Sequence, residues 1–221
     1  MLRSLLLVAA VALAACSKAP APATAAVAIT APAGTYALDA NHASLSFKVS
    51  HLGIAPYVAR FAALDATLTL DPAALTKSSL TFTVKPASVR TDYSGDYKAG
   101  HKDSSFNTWD EDLGQSDKWL NGKTHVDASF RSTSITEKAP GKLSVSGDLT
   151  LLGKTQPAVF DVTVTGSTAK HPFTQNGAIG FSASTTIKRS AFGMTYLLQP
   201  PLIGDDVGIE FNGEFHQKPA A

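Results

Sequence analysis

Six histidines, His42, His51, His101, His125, His171 and His216, are the side chains best suited to metal or proton chemistry. None forms an H-x-H or H-x-x-x-H pair, so a metal site would have to assemble from distant loops. They read as satisfied or exposed histidines. The chain has no G-x-S-x-G elbow and no phosphate-cradling glycine loop. A Ser/His/Asp triad built across loops stays open, since single residues of those types are common. No catalytic residue, metal ligand or cofactor is therefore assigned. Four cations invite a different chemistry. His51 and Arg60 flank one turn, and Lys188 and Arg189 end a later strand. Brought to one end of a fold they would form a collar for a phosphate or carboxylate head group. The competing reading is solvated loop charge, or pairing with Asp65, Asp205 or Asp206.

Whatever positions these residues has ample apolar material. The 221 residues are 44% hydrophobic and 17% charged, and the charges are scattered. The formal net charge is +1, and loss of Arg3 with the leader described next would bring it to zero. A basic footprint is missing, which argues against a nucleic-acid partner.

The sole cysteine, Cys16, rules out an internal disulfide. Met1 to Ala15 has a basic start, an apolar run from Leu5 to Leu13 and small residues before the cysteine. That run is too short to span a bilayer and reads as a signal peptide. Leu13-Ala14-Ala15-Cys16 resembles a bacterial lipobox, with cleavage before a lipid-modified cysteine. Ser17, where an aspartate would retain the protein at the inner membrane, resembles the outer-membrane pattern. The expectation is a periplasmic lipoprotein held to a membrane, the outer one, through Cys16. An ordinary signal peptide with an incidental cysteine is the alternative. Residues 16–34, rich in Ala and Pro, read as a tether, 35–217 as one domain and 218–221 as a tail.

Strict alternation marks the strands. Leu45, Phe47 and Val49 face one way and Ser46, Lys48 and Ser50 the other. The pattern predicts eight strands, near 43–52, 61–71, 78–90, 125–136, 142–152, 158–168, 178–188 and 206–216, with a short lead-in at 36–39. Pro86 predicts a bulge, edge or strand end, and Gly147 a bulge or bend. Residues 91–123 lose the alternation. Phe106, Trp109 and Leu113 are spaced for one or two helical turns, and a break this long is usually functional or a cap. Trp109, Leu113, Trp119 and Leu120 fit a lid, packing on the outside of a barrel, or a homodimer contact. The predicted fold class is all-β: an eight-stranded antiparallel barrel with a helical or irregular insertion between strands three and four. Eight strands enclose either packed side chains or one small ligand. Small inward residues such as Ala66, Ala128, Ala183 and Gly213 favour a cavity.

Several blocks resemble the YceI-like family, in this order along nearly the whole domain: Ser50-His51-Leu52-Gly53, Arg60-Phe61, Ala66-Thr67-Leu68, Ser116-Asp117-Lys118-Trp119-Leu120, Ala128-Ser129-Phe130, Gly147-Asp148-Leu149-Thr150-Leu151 with Gly153 and Pro157, Gly180-Phe181-Ser182-Ala183, Ile187-Lys188-Arg189-Ser190 with Phe192-Gly193, and Leu202-Ile203-Gly204-Asp205-Asp206-Val207. The resemblance implies a lipocalin-like periplasmic barrel that binds an isoprenoid or fatty-chain lipid without catalysis. Leu152, Ala191 and Val126 depart from the family pattern where His, Asp and Pro are usual, and the segment from Tyr93 to Asp112 is longer. On this reading Phe47, Val49, Leu68, Phe82, Phe130, Phe181, Ile187 and Phe211 line the cavity. A packed structural or interaction lipoprotein, and a lipid-ester hydrolase, are the alternatives.

Overall fold

The computed structural model describes residues 28–199 and 202–219; the leader and Cys16 lie outside them. Among the described residues ten strands are present: β1 (Gly34–His51), β2 (Ala55–Phe61), β3 (Leu64–Leu70), β4 (Ser79–Val84), β5 (Val89–Arg90), β6 (Ala128–Ala139), β7 (Lys142–Leu151), β8 (Lys154–Thr168), β9 (Ala178–Lys188) and β10 (Ile203–Gln217). Every pairing is antiparallel, and the ring β1-β10-β9-β8-β7-β6-β4-β3 returns to β1. It is a closed eight-stranded barrel. β2 and β5 extend two of its staves, β2 pairing with the second half of β1 and β5 with β2. Closure leaves the ring itself without a free edge.

The first hairpin differs from its sequence expectation. The lead-in at 36–39 and the strand at 43–52 are one strand, β1. Its corner is only Leu52–Ile54, where Leu52 and Gly53 take φ of 55° and 67°. The expected second strand, 61–71, is the end of β2 followed by β3. Ala62 and Ala63 interrupt the stave because Ser88 captures their N–H groups, through its carbonyl and its Oγ, each at 3.0 Å. The expected third strand stops at Val84, since Pro86 opens a 3₁₀ turn (Pro86–Ser88) before β5. The register slip near Gly147 lies on the partner strand, between Ser132 and Ser134 of β6.

Between β5 and β6 the insertion folds into α1 (Tyr97–Gly100) and α2 (Trp109–Gln115). Asp96 caps α1 and Thr108 caps α2, each accepting a backbone N–H. Asp110, Glu111 and Asp112 occupy the first turn of α2, where the helix dipole favours negative charge. Leu120 packs on Val89 and Ala59 and fixes the insertion against the barrel.

The main core fills one end of the barrel. Tyr36, Leu70, Leu75, Val164, Ile179 and Phe215 pack there with Ala31, which is 1% exposed. Part of the expected tether is thus packed structure. Thr30 bonds to Ser167 of β8 through N and Oγ1, and Pro32 accepts from the Tyr36 hydroxyl at 2.6 Å. These residues stopper the barrel.

Candidate functional site

Above that stopper the barrel is open. Its interior is a cavity of about 1300 Å³, lined mainly by inward-facing aliphatic and aromatic side chains, with polar residues of the 91–123 insertion among the rest. Burial falls along β10 from Phe215 and Phe211, which are buried, to Ile209 and Val207, which are half-buried. The cavity widens toward the end of the barrel carrying the β1–β2 turn. Phe47, Val49, Leu68, Phe82, Phe130, Phe181, Ile187 and Phe211 all line it. Edge-to-face pairs hold several of these rings in place, among them Phe82 with Phe211 at 5.3 Å and Phe130 with Phe160 at 4.9 Å.

The wall near the mouth is aromatic with polar tips. The insertion supplies Tyr93, Tyr97, His101, Trp109 and Trp119, and the segment after β9 supplies Tyr196. The imidazole of His101 stacks on Tyr97 at 4.4 Å, and Trp109 meets both edge-on. Trp119 meets Tyr196 at 5.1 Å, and the Lys118 ammonium lies 5.0 Å from the centre of the Tyr196 ring. The Tyr97 hydroxyl sits 2.8 Å from Ser104 Oγ and 3.0 Å from Asp112 Oδ2. Burial pushes the Tyr97 and Tyr57 phenols above their ordinary range, and for Tyr57 the neighbouring Tyr93, Asp110 and Asp112 add to the effect. Both stay neutral donors. Trp109, Leu113, Trp119 and Leu120 all line this wall.

The cationic collar does not form as expected. Arg60 lies on the outer face, in an ion pair with Asp92 at 2.8 Å, because its neighbours Ala59 and Phe61 take the inward positions. Lys188 likewise points outward and pairs with Asp206 at 2.9 Å. Arg189 does reach the cavity wall, but it is 2% exposed and spends its donors on the chain. Nε bonds Gly204 O, Nη1 bonds Met194 O and Tyr196 O, and Nη2 bonds Ile203 O, all between 2.7 and 3.0 Å. It is a clamp on the mouth segment. Of the four, only His51 lines the mouth without such commitments. Of the mouth rings, Trp109 and Trp119 are the two that the sequence offers as lid residues; Tyr93, Tyr97, His101 and Tyr196 have no sequence assignment, the available signal being rings recurring in the polar stretch 91–123.

A family model for the YceI-like domain matches residues 36–215. The chain belongs to the YceI-like family. Its similarity extends to a UPF0312 protein of Vibrio cholerae, 31% identical over 74% of this chain and 79% of that protein. A UPF0312 protein of Ectopseudomonas mendocina is 33% identical over 77% and 82%. Among solved structures, the YCEI protein of Campylobacter jejuni superposes with a TM-score of 0.63 at 27% identity, covering 78% of this chain and 91% of that one. BcnA of Burkholderia cenocepacia (TM-score 0.64, 24% identity, 80% and 98% covered) shares the fold. So does a polyisoprenoid binding domain from Saccharophagus degradans (0.56, 16%, 83% and 98%). Within the YceI-like pattern, Leu152 stands in the β7–β8 turn with φ 53°, and Ala191 in the 3₁₀ turn after β9.

Proposed function

We propose that this YceI-like barrel is a non-enzymatic carrier that encloses one long apolar chain, an isoprenoid or fatty-chain lipid, and stores, shields or moves it in the cell envelope. The observation that carries the reading is the largely apolar cavity of about 1300 Å³ above the packed end of the barrel. It exceeds the roughly 300–1,000 Å³ of ordinary small-molecule pockets. At the density of benzene in a cavity of about 150 Å³, it takes on the order of fifty carbons. Each five-carbon unit gains about 3–4 kcal/mol on full burial, partly offset by ordering a flexible chain. An interior of this size also speaks against a packed barrel without ligand. The description of the Saccharophagus degradans domain as polyisoprenoid-binding supports the same reading.

The head group would sit among the Tyr, Trp and His side chains of the mouth, which offer hydrogen-bond donors. Location belongs to the proposal too: the leader and Cys16 support a periplasmic lipoprotein, tested by fractionating a Cys16→Ser variant. The decisive experiment is native mass spectrometry of protein purified from its own host, beside an Ala183→Trp variant that fills the cavity. Co-purifying long-chain lipid, lost in the variant, is the expected result. Ligand-free protein that also fails to take up polyprenol or fatty acid afterwards would sink the proposal.

A further inference from the structure

On the outer face of the barrel, away from the cavity, three distant parts of the chain bring metal-binding side chains together. Outward alternation along β10 presents Glu214 and His216. The loop between β8 and β9 adds His171, whose ring lies 4.7 Å from that of His216. The third contribution depends on an irregularity. The β1–β10 ladder passes from Leu38↔Phe215 directly to Ala43↔Gly213, so the four residues Asp39 to His42 stand opposite Glu214 alone. A bulge of this kind re-aims side chains, and here it turns Asp39 toward His216.

The distances define a donor set. His216 Nε2 is 3.5 Å from Glu214 Oε2 and 3.8 Å from Asp39 Oδ2. The donor atoms of His171, Glu214 and His216 all lie within 4.8 Å of one another. His216 Nε2 is itself buried and makes no hydrogen bond among the described residues. A buried polar atom without a partner is uncommon and calls for a reason. His42 Nδ1 sits 2.7 Å from Asp39 Oδ2 and fixes that carboxylate, as an outer-shell partner does. The Nδ1 of His171 faces the N–H of Thr174 at 3.4 Å, which leaves its Nε2 free.

We propose that His171, His216 and Glu214, with Asp39 as fourth donor, bind a divalent transition ion of the zinc or copper type. Two imidazoles select such ions over magnesium or calcium. Bonds of about 2.0–2.2 Å in a tetrahedral site set neighbouring donors about 3.4 Å apart, close to the two separations around His216. The remaining movement falls to His171, on a loop. Two carboxylates neutralise the charge, and the bound ion ties the β1 bulge, the β8–β9 loop and β10 together.

The test is calorimetric titration of tag-free, chelator-treated protein with zinc chloride at neutral pH, magnesium chloride serving as control. One saturable equivalent of zinc and no magnesium is expected. His216→Gln and His171→Ala should each weaken binding at least tenfold with unchanged circular dichroism, while His125→Ala should bind as the parent does. Glu214→Gln probes the same donor set if either histidine variant fails to fold. Absence of saturable zinc binding, or binding that survives His216→Gln and His171→Ala, overturns the proposal.

Discussion

The Phe130 ring packs over the backbone of Gly147, so that a β-carbon added there would come within 2.5 Å of Phe130 Cζ and collide with the Arg131 carbonyl oxygen. A cavity-lining ring on β6 is thus seated on the one residue type of β7 that leaves room for it. Gly147→Ala is expected to cost about 1–3 kcal/mol through forced displacement of packed atoms, read as a lower urea midpoint. Gly166→Ala, where a β-carbon would meet nothing within 4 Å, is the matched control. It should be neutral or stabilising by up to about 1 kcal/mol.

Arg189 clamps the mouth segment through four carbonyls. Replacing it with Met keeps volume and strands those acceptors, for an expected loss of about 3–5 kcal/mol. Lys cannot reproduce the planar fork, so Arg189→Lys should recover less than half of that. Amide hydrogen exchange should rise first at residues 194–199 and 202–204.

Burial works to raise the Asp205 pKa, but bonds from Ser190 N and Oγ, with help from Lys188 and Arg189, hold it below the ordinary 3.8. A depressed carboxylate contributes stability that is complete above its unfolded pKa and lost as pH falls through the folded value. Asp205→Asn should therefore cost about 1–2 kcal/mol at pH 7. The difference from the parent should shrink only below about pH 4. A constant difference down to pH 2 would assign the effect to shape rather than charge.

Both tryptophans of the chain, Trp109 and Trp119, line the cavity. Loading ligand-free protein with polyprenol should move their emission to the blue as water leaves the mouth. Trp119→Phe should remove a large part of the change. Unmoved emission during demonstrated binding would place the lipid deeper than the mouth.

Much of this architecture was legible in the alternation alone. The inward parity of Phe47, Val49, Phe130, Phe181 and Phe211 follows from period two, and so does the outward parity of Arg60 beside Phe61 and of Lys188 beside Ile187. The collar does not assemble because that parity turns Arg60 and Lys188 outward. Arg189 escaped because a side chain just past a strand is positioned by its turn rather than by the pleat. The interruption at Ala62–Ala63 depends on Ser88, 25 residues away. The meeting of His171 and His216 depends on a loop packed across the sheet, and that of Asp39 with His216 on a bulge in the β1–β10 ladder, neither of which has a local signature.

The packed segment from Ala28 to Gly34 enters the barrel beside Tyr36, at the end opposite His51, which lies on the rim of the mouth. With the anchor proposed at Cys16, the eleven residues from Ser17 to Val27 span at most about 40 Å when fully extended. On that proposal the leash would attach to the base of the vessel, and a barrel standing upright on it would turn its opening away from the bilayer that holds it. Cargo exchange in that posture would face away from the anchoring leaflet, toward a different acceptor.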